Sequence, residues 1–279
     1  ASDWYLHKHD KDERYNNVIL HVCGDIDMEV KNQNGDSLPQ LQLDVPEHVT
    51  QHYAELLSTD KYPPCYKIIP ELSNLMVHSW MSALQTERLE QKTDAIISRV
   101  EQCNGSWEAG YFVTLARNFG FGINGDAFEH WALSIPLNDV AHHRDNLFQI
   151  EAIFMGQAGL LDLDTIPAKY HDTAIADGYF NKLKDEYTYL KHKFGLQQID
   201  SKMWRFLRLR PQNFPHIRIS QLANLYYTAK CSISQIVECD TVKEAMNTMH
   251  TGVTQYWETH YTFGSESEKN EKHISPFSL

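Results

Sequence analysis

The chain has 279 residues and a formal net charge of -12, with 42% hydrophobic and 22% charged residues. This composition is typical of a folded protein with a substantial core, and the acidic excess argues against binding nucleic acid or anionic membranes through bulk charge, although it leaves room for a local basic patch. No apolar run approaches the roughly 18 residues that span a bilayer, and the first residues lack a signal-peptide core, so we expect a cytoplasmic protein without membrane association.

Residues 1–45 carry the signals of a small β portion with two to three strands. The stretch NVILHVC, residues 17–23, is rich in β-branched residues, as is typical of a strand buried on both faces. Residues 26–32 follow Gly24 closely enough to form a hairpin with the first predicted strand. Residues 38–45 alternate apolar and polar side chains, which predicts a third extended piece.

From Pro46 onward the apolar spacing changes to that of helices. The fold class that we predict is therefore α+β, with a small N-terminal β portion followed by a mainly helical majority. We expect the β portion at 1–45 to be the remainder of a larger α/β domain, followed by a helical domain at 46–264 and a flexible tail at 265–279. The predicted helices lie at 46–58, 71–102, 107–120, 124–136, 137–161, 179–195, 219–230 and 241–252, with connectors at 61–70, 167–178 and 211–218 and strand-like chemistry at 254–264.

Histidines and acidic residues surround the start of the first predicted strand. His7 and His9 would share one face of an extended backbone, with Asp10 and Asp12 close by and His21 inside the strand. Imidazole and carboxylate groups are ligands of zinc and manganese, so these five residues are candidate ligands of a divalent metal ion. The alternative is a polar, hydrogen-bonded strand edge with one buried histidine, because a metal site needs several ligands that converge.

Four long blocks of the sequence resemble, in the same order, a bacterial family of uncharacterised proteins, the domain of unknown function family DUF2851. The blocks cover much of the chain, and the resemblance implies no established activity. They are SDWYLHKHDKDERYNNVILHV, LARNFGFGINGDAFEHWALSIPL, QIEAIFMGQAGLL and WRFLRLRPQNFPHIRISQLANL.

The resemblance also implies parts that this chain lacks. Members of the family carry an upstream segment with a Gly-Pro-Asp-Phe block, then a Gly-x-x-Glu-x-His block directly before the residues that correspond to Ser2, Asp3 and Trp4. An aspartate followed by Glu-x-Lys, or a variant of that lysine, is the metal-binding layout of restriction-endonuclease-like folds. By this resemblance the chain looks like a member shortened at both ends, and the acidic ligands of a nuclease-like enzyme would lie upstream of Ala1.

Residues 202–218, which we call the basic segment, are basic and aromatic within an acidic chain. The segment reads KMWRFLRLRPQNFPHIR and contains Lys202, Arg205, Arg208, Arg210 and Arg218. Arginine forks suit phosphate oxygens and aromatic faces suit stacked bases, so these five cations are candidate contacts to phosphate or nucleic acid. The alternative is that the arginines pair with carboxylates of the helices while the aromatic rings pack in the core.

Glu151 lies within an otherwise apolar predicted helix, LFQIEAIFMG. A buried carboxylate needs a partner, and the planar guanidinium of arginine can bond both of its oxygens. We therefore predict a structural pair in which Glu151 accepts hydrogen bonds from Arg208, Arg210 or Arg218.

Two functional interpretations stay open, and they leave undecided whether the chain is an enzyme. The first is a metal-dependent, nuclease-like protein, which a converging set of metal ligands would favour. The second is a non-enzymatic binding or scaffold protein, which internal carboxylate pairs of Arg208 and Arg210 would favour. In either case an exposed edge of the early strands invites pairing between copies of the chain, so we expect a homo-oligomer.

Overall fold

The computed structural model describes residues 1–58, 66, 68–229 and 232–267 of the chain. These residues are mainly helical and contain one small sheet, which confirms the α+β class with a helical majority. The chain divides into two compact units, Ala1–Leu84 and Gln85–Leu279, and each is considered by itself. The domain bounds expected from the sequence stay predictions; most of the connector at 61–70 and the tail from residue 268 onward lie outside the described residues.

The sheet of the first unit has two short parallel strands, β1 (His21–Cys23) and β2 (Gln40–Gln42). The predicted hairpin after Gly24 is wrong, because the chain crosses over and returns parallel to β1. A tight turn explains the change of direction: the Asn32 side chain accepts hydrogen bonds from the main-chain N–H groups of Asn34 and Asp36. Within the described part of the chain neither strand has a second partner strand, and pairing between copies stays a prediction.

The N-terminal residues of this unit are helical turns rather than an extended lead-in to β1. They comprise α1 (Asp3–Leu6) and two 3-10 turns at His9–Lys11 and Glu13–Tyr15. The turns surround a small core formed by Trp4, Val30 and Leu38. The indole N–H of Trp4 donates to the carbonyl of Lys31 at 2.9 Å, which ties α1 to the crossover.

The remaining helices follow the predicted order with some changes in their bounds. The structure has α2 (Glu47–Leu57), α3 (Asn74–Gln102), α4 (Trp107–Phe119), α5 (Gly125–Leu133), α6 (Leu137–Ala141), α7 (Leu147–Gln157), α8 (His171–Asp177), α9 (Tyr179–Phe194), α10 (Pro215–Tyr227), α11 (Ile233–Val237), α12 (Val242–Thr248) and α13 (Gln255–Thr259). No helix in the described ranges combines the length and the apolar character needed to cross a membrane.

Four predicted elements of the second unit are wrong in type or in bounds. The single helix expected at 137–161 is split into α6 and α7, because the Asn146 side chain caps α7 by accepting from the N–H groups of Phe148 and Gln149. The expected loop at 167–178 contains α8, and the strand-like stretch at 254–264 contains α13. The expected connector at 211–218 ends early, since Pro215 opens α10 at a position where proline is well tolerated.

The core of the second unit is organised around α7, in which every residue from Ile150 to Gln157 is buried. Helices α9 and α10 pack on it, while α4 packs on α5. Close approach of α9 requires Gly156, because a Cβ atom there would lie 2.1 Å from the ring of Tyr187. Gly159 likewise permits a close approach, since a Cβ there would lie 2.8 Å from the carbonyl oxygen of Ile199.

Candidate functional site

The basic segment is held firmly against the second unit by its main chain and by one buried side chain. Trp204 is buried, and its indole N–H donates to the carbonyl of Ala158 at 2.7 Å. The Asn124 side chain forms two hydrogen bonds to the main chain of Arg205, accepting from its N–H at 2.8 Å and donating to its carbonyl at 2.9 Å. The middle of the segment therefore has a fixed position, although it has little regular secondary structure.

Four cations of the segment point away from this support. Lys202, Arg205, Arg208 and Arg210 are exposed, and among the described residues none of them forms an ion pair. The carboxylate pairs of Arg208 and Arg210 that would have favoured a scaffold role are thus not formed with any described residue. Arg208 also has a left-handed backbone, with φ +65°.

The fifth cation, Arg218, has a different environment. It is 5% exposed in the first turn of α10, where its guanidinium donates to the side-chain oxygens of Gln221 at 2.7 Å and Asn213 at 2.6 Å and lies 4.2 Å above the ring of Phe121. Burial lowers the pKa of Arg218 to about 10. This side chain holds the end of the basic segment together and is not available to a large polyanion.

The aromatic residues of the segment face inward. Trp204 is buried, and Phe206 and Phe214 are half-buried with their rings edge to face at 5.3 Å. Trp204 and Phe214 therefore serve the core, as the alternative interpretation of the sequence proposed for the rings. Phe206 differs from them because its ring also forms part of a pocket wall.

That pocket lies beside the basic segment and has a volume of about 630 Å³. Three parts of the second unit meet there: the loop after α7, the outer face of α9 and the start of the basic segment. Its polar lining consists of Asp162, Asp164, Thr165, Lys184, Ser201 and Lys202. Apart from Lys202, sequence reasoning missed these residues, because the three parts are far apart in the chain and carry no common motif.

Glu151 is fully buried, as its apolar surroundings in the sequence suggest, but the predicted arginine partner is wrong. Its carboxylate accepts from neutral donors: the indole N–H of Trp257 at 2.6 Å, the hydroxyl of Tyr179 at 2.9 Å and the hydroxyl of Thr254 at 3.2 Å. Arg208 and Arg210 lie at the surface and Arg218 is bound elsewhere, so none of the three arginines serves it. Burial raises the pKa of Glu151 above its usual range, and the hydrogen bonds oppose this shift.

His216, in the first turn of α10, is a buried polar residue at the end of the basic segment. Its ring lies among those of Trp257 at 5.5 Å, Phe206 at 5.7 Å and Phe263 at 5.4 Å. Neither ring nitrogen has a hydrogen-bond partner within the described ranges. Burial lowers the pKa of His216 to about 3, so this side chain is neutral at physiological pH.

The candidate metal-binding histidines of the first unit contact aromatic rings. His9 packs on Tyr15 with ring centroids 4.1 Å apart and on Trp4 at 5.3 Å. His21 is half-buried and meets Trp4 edge to face at 5.4 Å, whereas His7 is exposed. The rings of His9 and His21 thus pack around Trp4. His21 is only half-buried, whereas a strand covered on both faces would bury it fully.

Of the two candidate carboxylates, Asp12 is bound by Arg14. Asp12 forms an ion pair with Arg14 at 2.5 Å and accepts from its main-chain N–H; hydrogen bonds from Arg14 lower the pKa of Asp12 to about 2. Asp10 is half-buried in the 3-10 turn beside His9. In the part of the chain that is described, no three histidine, cysteine or acidic side chains converge as they would around a metal ion.

The sequence model of one family, described as "Protein of unknown function (DUF2851)", matches residues 1–278. The chain belongs to this family. The resemblance of the four sequence blocks is thereby confirmed over essentially the whole chain. Searches of the curated proteins and of the solved structures found no match, so the function of this DUF2851 protein has to be argued from its own residues.

Proposed function

We propose that this chain is a non-enzymatic protein of the bacterial cytoplasm that binds nucleic acid through the phosphate backbone. The observation that carries the proposal is the set of four exposed cations, Lys202, Arg205, Arg208 and Arg210, none of which is ion-paired among the described residues. Four exposed cations within residues 202–210 form a local basic patch in an acidic protein, and such a patch suits an external anion.

The rigid support of the segment makes it suitable for this role. Trp204 and the two hydrogen bonds from Asn124 fix the main chain, so little main-chain freedom has to be lost when an anion binds. Binding that orders fewer groups is stronger for the same contacts. Because Trp204 and Phe214 face inward, the arginines contribute contacts to phosphate, which position a nucleic acid without reading its sequence.

The net charge of -12 limits the affinity rather than excluding the interaction. Exposed charges act mainly over one Debye length, about 8 Å at physiological salt, so the local cations dominate at the segment itself. We expect a dissociation constant in the non-specific range, about 10⁻⁴ to 10⁻⁶ M at physiological salt.

The metal-dependent nuclease implied by the family resemblance is not part of this proposal. Such an enzyme needs acidic ligands that converge; by the resemblance these would lie upstream of Ala1, and the described residues hold no such group. The basic segment does not depend on a metal ion, so nucleic-acid binding can be tested in the chain by itself.

The test is fluorescence anisotropy with labelled oligonucleotides of about 30 nucleotides, long enough for several phosphate contacts. Four contacts predict a slope of about -3 for the logarithm of the binding constant against the logarithm of salt concentration with single strands. The triple variant Arg205→Gln, Arg208→Gln, Arg210→Gln should reduce this slope to about -1. The control removes three exposed cations elsewhere, by Arg88→Gln, Lys92→Gln and Lys243→Gln. Equal losses in both triple variants, or no binding at low salt, would refute the proposal.

A further inference from the structure

The pocket beside the basic segment has the size and the lining of a small-molecule site. Its volume of about 630 Å³ lies within the range of about 300–1,000 Å³ that is common for ligand pockets. Two of its lining residues, Lys202 and Phe206, belong to the basic segment. The pocket therefore adjoins the segment that is proposed to bind phosphates.

The two lysines of the pocket come from different elements. Lys184 projects from α9 and Lys202 from the start of the basic segment, and both are exposed. Neither forms an ion pair within the described residues, although Asp162 and Asp164 line the same pocket. Two exposed cations from separate elements thus line one pocket, and they suit an anionic group on the ligand.

The carboxylates indicate that this ligand is not a bare anion. Asp162 and Asp164 are exposed acceptors, and Asp162 accepts one hydrogen bond, from the side-chain amide of Gln198 at 3.1 Å. Carboxylates repel an inorganic phosphate, whereas they accept hydrogen bonds from the amino and imino groups of a base. A ligand with a phosphate at one end and N–H donors at the other fits both halves of the lining.

The ring of Phe206 supplies a planar apolar wall. The ring packs edge to face on Phe214, at an interplanar angle of 82°, and this contact favours the observed orientation. A base can stack on such a ring whatever its identity, because every base has a π-face.

The walls of the pocket are joined to one another before any ligand binds. The N–H of Ile199 donates to the carbonyl of Gln157 at 2.9 Å, and Trp204 donates to Ala158. Gly159 permits this approach, since any larger residue would meet the carbonyl of Ile199. The loop after α7 and the start of the basic segment are thus held at a fixed separation.

We infer that this pocket takes one nucleotide of a single strand, with its phosphate between Lys184 and Lys202 and its base against Phe206. The inference rests on the proposed function and extends it from phosphate binding to a preference for single strands. A duplex cannot place a base in the pocket without unpairing it, so only a single strand gains this contact.

The experiment compares a single strand with a duplex of equal length, using the full chain and anisotropy. The wild-type protein should bind the single strand about tenfold more tightly than the duplex. Lys184→Gln should remove most of this preference and leave duplex affinity nearly unchanged. Lys182→Gln is the matched control, because Lys182 is exposed on the same helix but does not line the pocket. Phe206→Leu should act like Lys184→Gln.

A second measurement uses free small molecules and the melting temperature of the full chain. Adenosine 5′-monophosphate should raise the melting temperature of the wild-type protein and not that of Lys184→Gln, while inorganic phosphate alone should have less effect. An equal shift with inorganic phosphate would overturn the nucleotide assignment. If the arginine triple variant loses binding while Lys184→Gln and Phe206→Leu keep the full single-strand preference, the pocket inference fails and the proposed function stands. If the arginine triple variant binds like its control, the proposed function itself fails.

Discussion

Asn124 binds the main chain of Arg205 with both ends of its side-chain amide, across a separation of 81 residues. Asn124 occupies the N-cap position of α5, yet its side chain forms no capping hydrogen bond there. Asparagine is a favourable N-cap residue, so its amide serves the basic segment in place of the helix. This relationship couples the start of α5 to the position of the exposed arginines.

Asn124→Ala should therefore affect both stability and binding. The substitution leaves the N–H and the carbonyl of Arg205 without their partners, which should lower the free energy of unfolding by about 1–3 kcal/mol. It should also weaken oligonucleotide binding, because the arginines lose their fixed position. Urea unfolding and anisotropy measure the two effects. Asn118→Ala is the control, since Asn118 makes one exposed hydrogen bond within α4; equal results for both variants would contradict the coupling.

Gly159→Ala should destabilise the protein more than its backbone conformation alone requires. At φ +68° any L-residue is strained, by roughly 1–2 kcal/mol, and the new Cβ would lie 2.8 Å from the carbonyl oxygen of Ile199. Gly178→Ala is a matched control, because Gly178 has φ +77° but a Cβ added there would meet no atom within 4 Å. The difference between the two unfolding free energies measures the close approach beside the pocket. No difference would show that the loop can move aside.

His216 should make the protein less stable as the pH falls. The pKa of the folded state is about 3, whereas an unfolded histidine titrates near 6.5. Between these values the unfolded state binds a proton that the folded state does not, so stability decreases from pH 6.5 downward. At pH 5 the loss in the free energy of unfolding from His216 is about 2 kcal/mol relative to pH 8.

The variant His216→Phe isolates this contribution. Phenylalanine suits the surrounding rings of Phe206, Trp257 and Phe263, and it removes two buried nitrogens that have no partner among the described residues. Urea unfolding at several pH values should show a smaller loss of stability on acidification than in the wild-type protein. A variant with the wild-type pH profile would mean that other groups dominate the acid sensitivity.

The sequence predicted those helices whose ends carry local signals. Ser106 caps α4 by accepting from the N–H of Ala109, and Gly195 ends α9 in a left-handed conformation, as the residue types at both positions indicate. The sheet was predicted only in outline, because the direction of β2 depends on a crossover and not on the strand residues. The aromatic and β-branched residues of 254–264 favour a strand, but packing of Trp257 on the core favours α13.

The candidate site was predictable only where it is local. The exposed cations follow one another in the sequence and were found as a basic segment. The pocket combines Lys184 with residues near 162 and 202, and no spacing rule connects such distant positions. The partner of Glu151 was missed for the same reason: Thr254 and Trp257 come from a stretch predicted to be a strand, more than 100 residues away.

Glu151→Gln should change stability in a pH-dependent manner. The pKa of Glu151 is raised by burial from about 4.3 in the unfolded chain. Above that value the folded state retains a proton that the unfolded state has lost, so the wild-type protein loses stability as the pH rises toward the folded pKa. Glutamine has no such titration. The stability of the variant relative to the wild-type protein should therefore increase from pH 4 to pH 8.

The neutral partners of Glu151 determine whether Glu151→Gln is more or less stable than the wild-type protein at high pH. Glutamine keeps one oxygen for the indole N–H of Trp257 and the hydroxyl of Thr254, which bind the same carboxylate oxygen, and the hydroxyl of Tyr179 can rotate to accept from its amide. No described cation is left without a partner, as would happen if an arginine served this carboxylate. Unfolding in urea at pH 4 and pH 8 is the measurement, with the exposed Glu90→Gln as the control. A variant less stable than the wild-type protein by about 2 kcal/mol or more at pH 8 would show that the ionised carboxylate is needed, because three donors bound to a charged acceptor would then outweigh its loss of solvation.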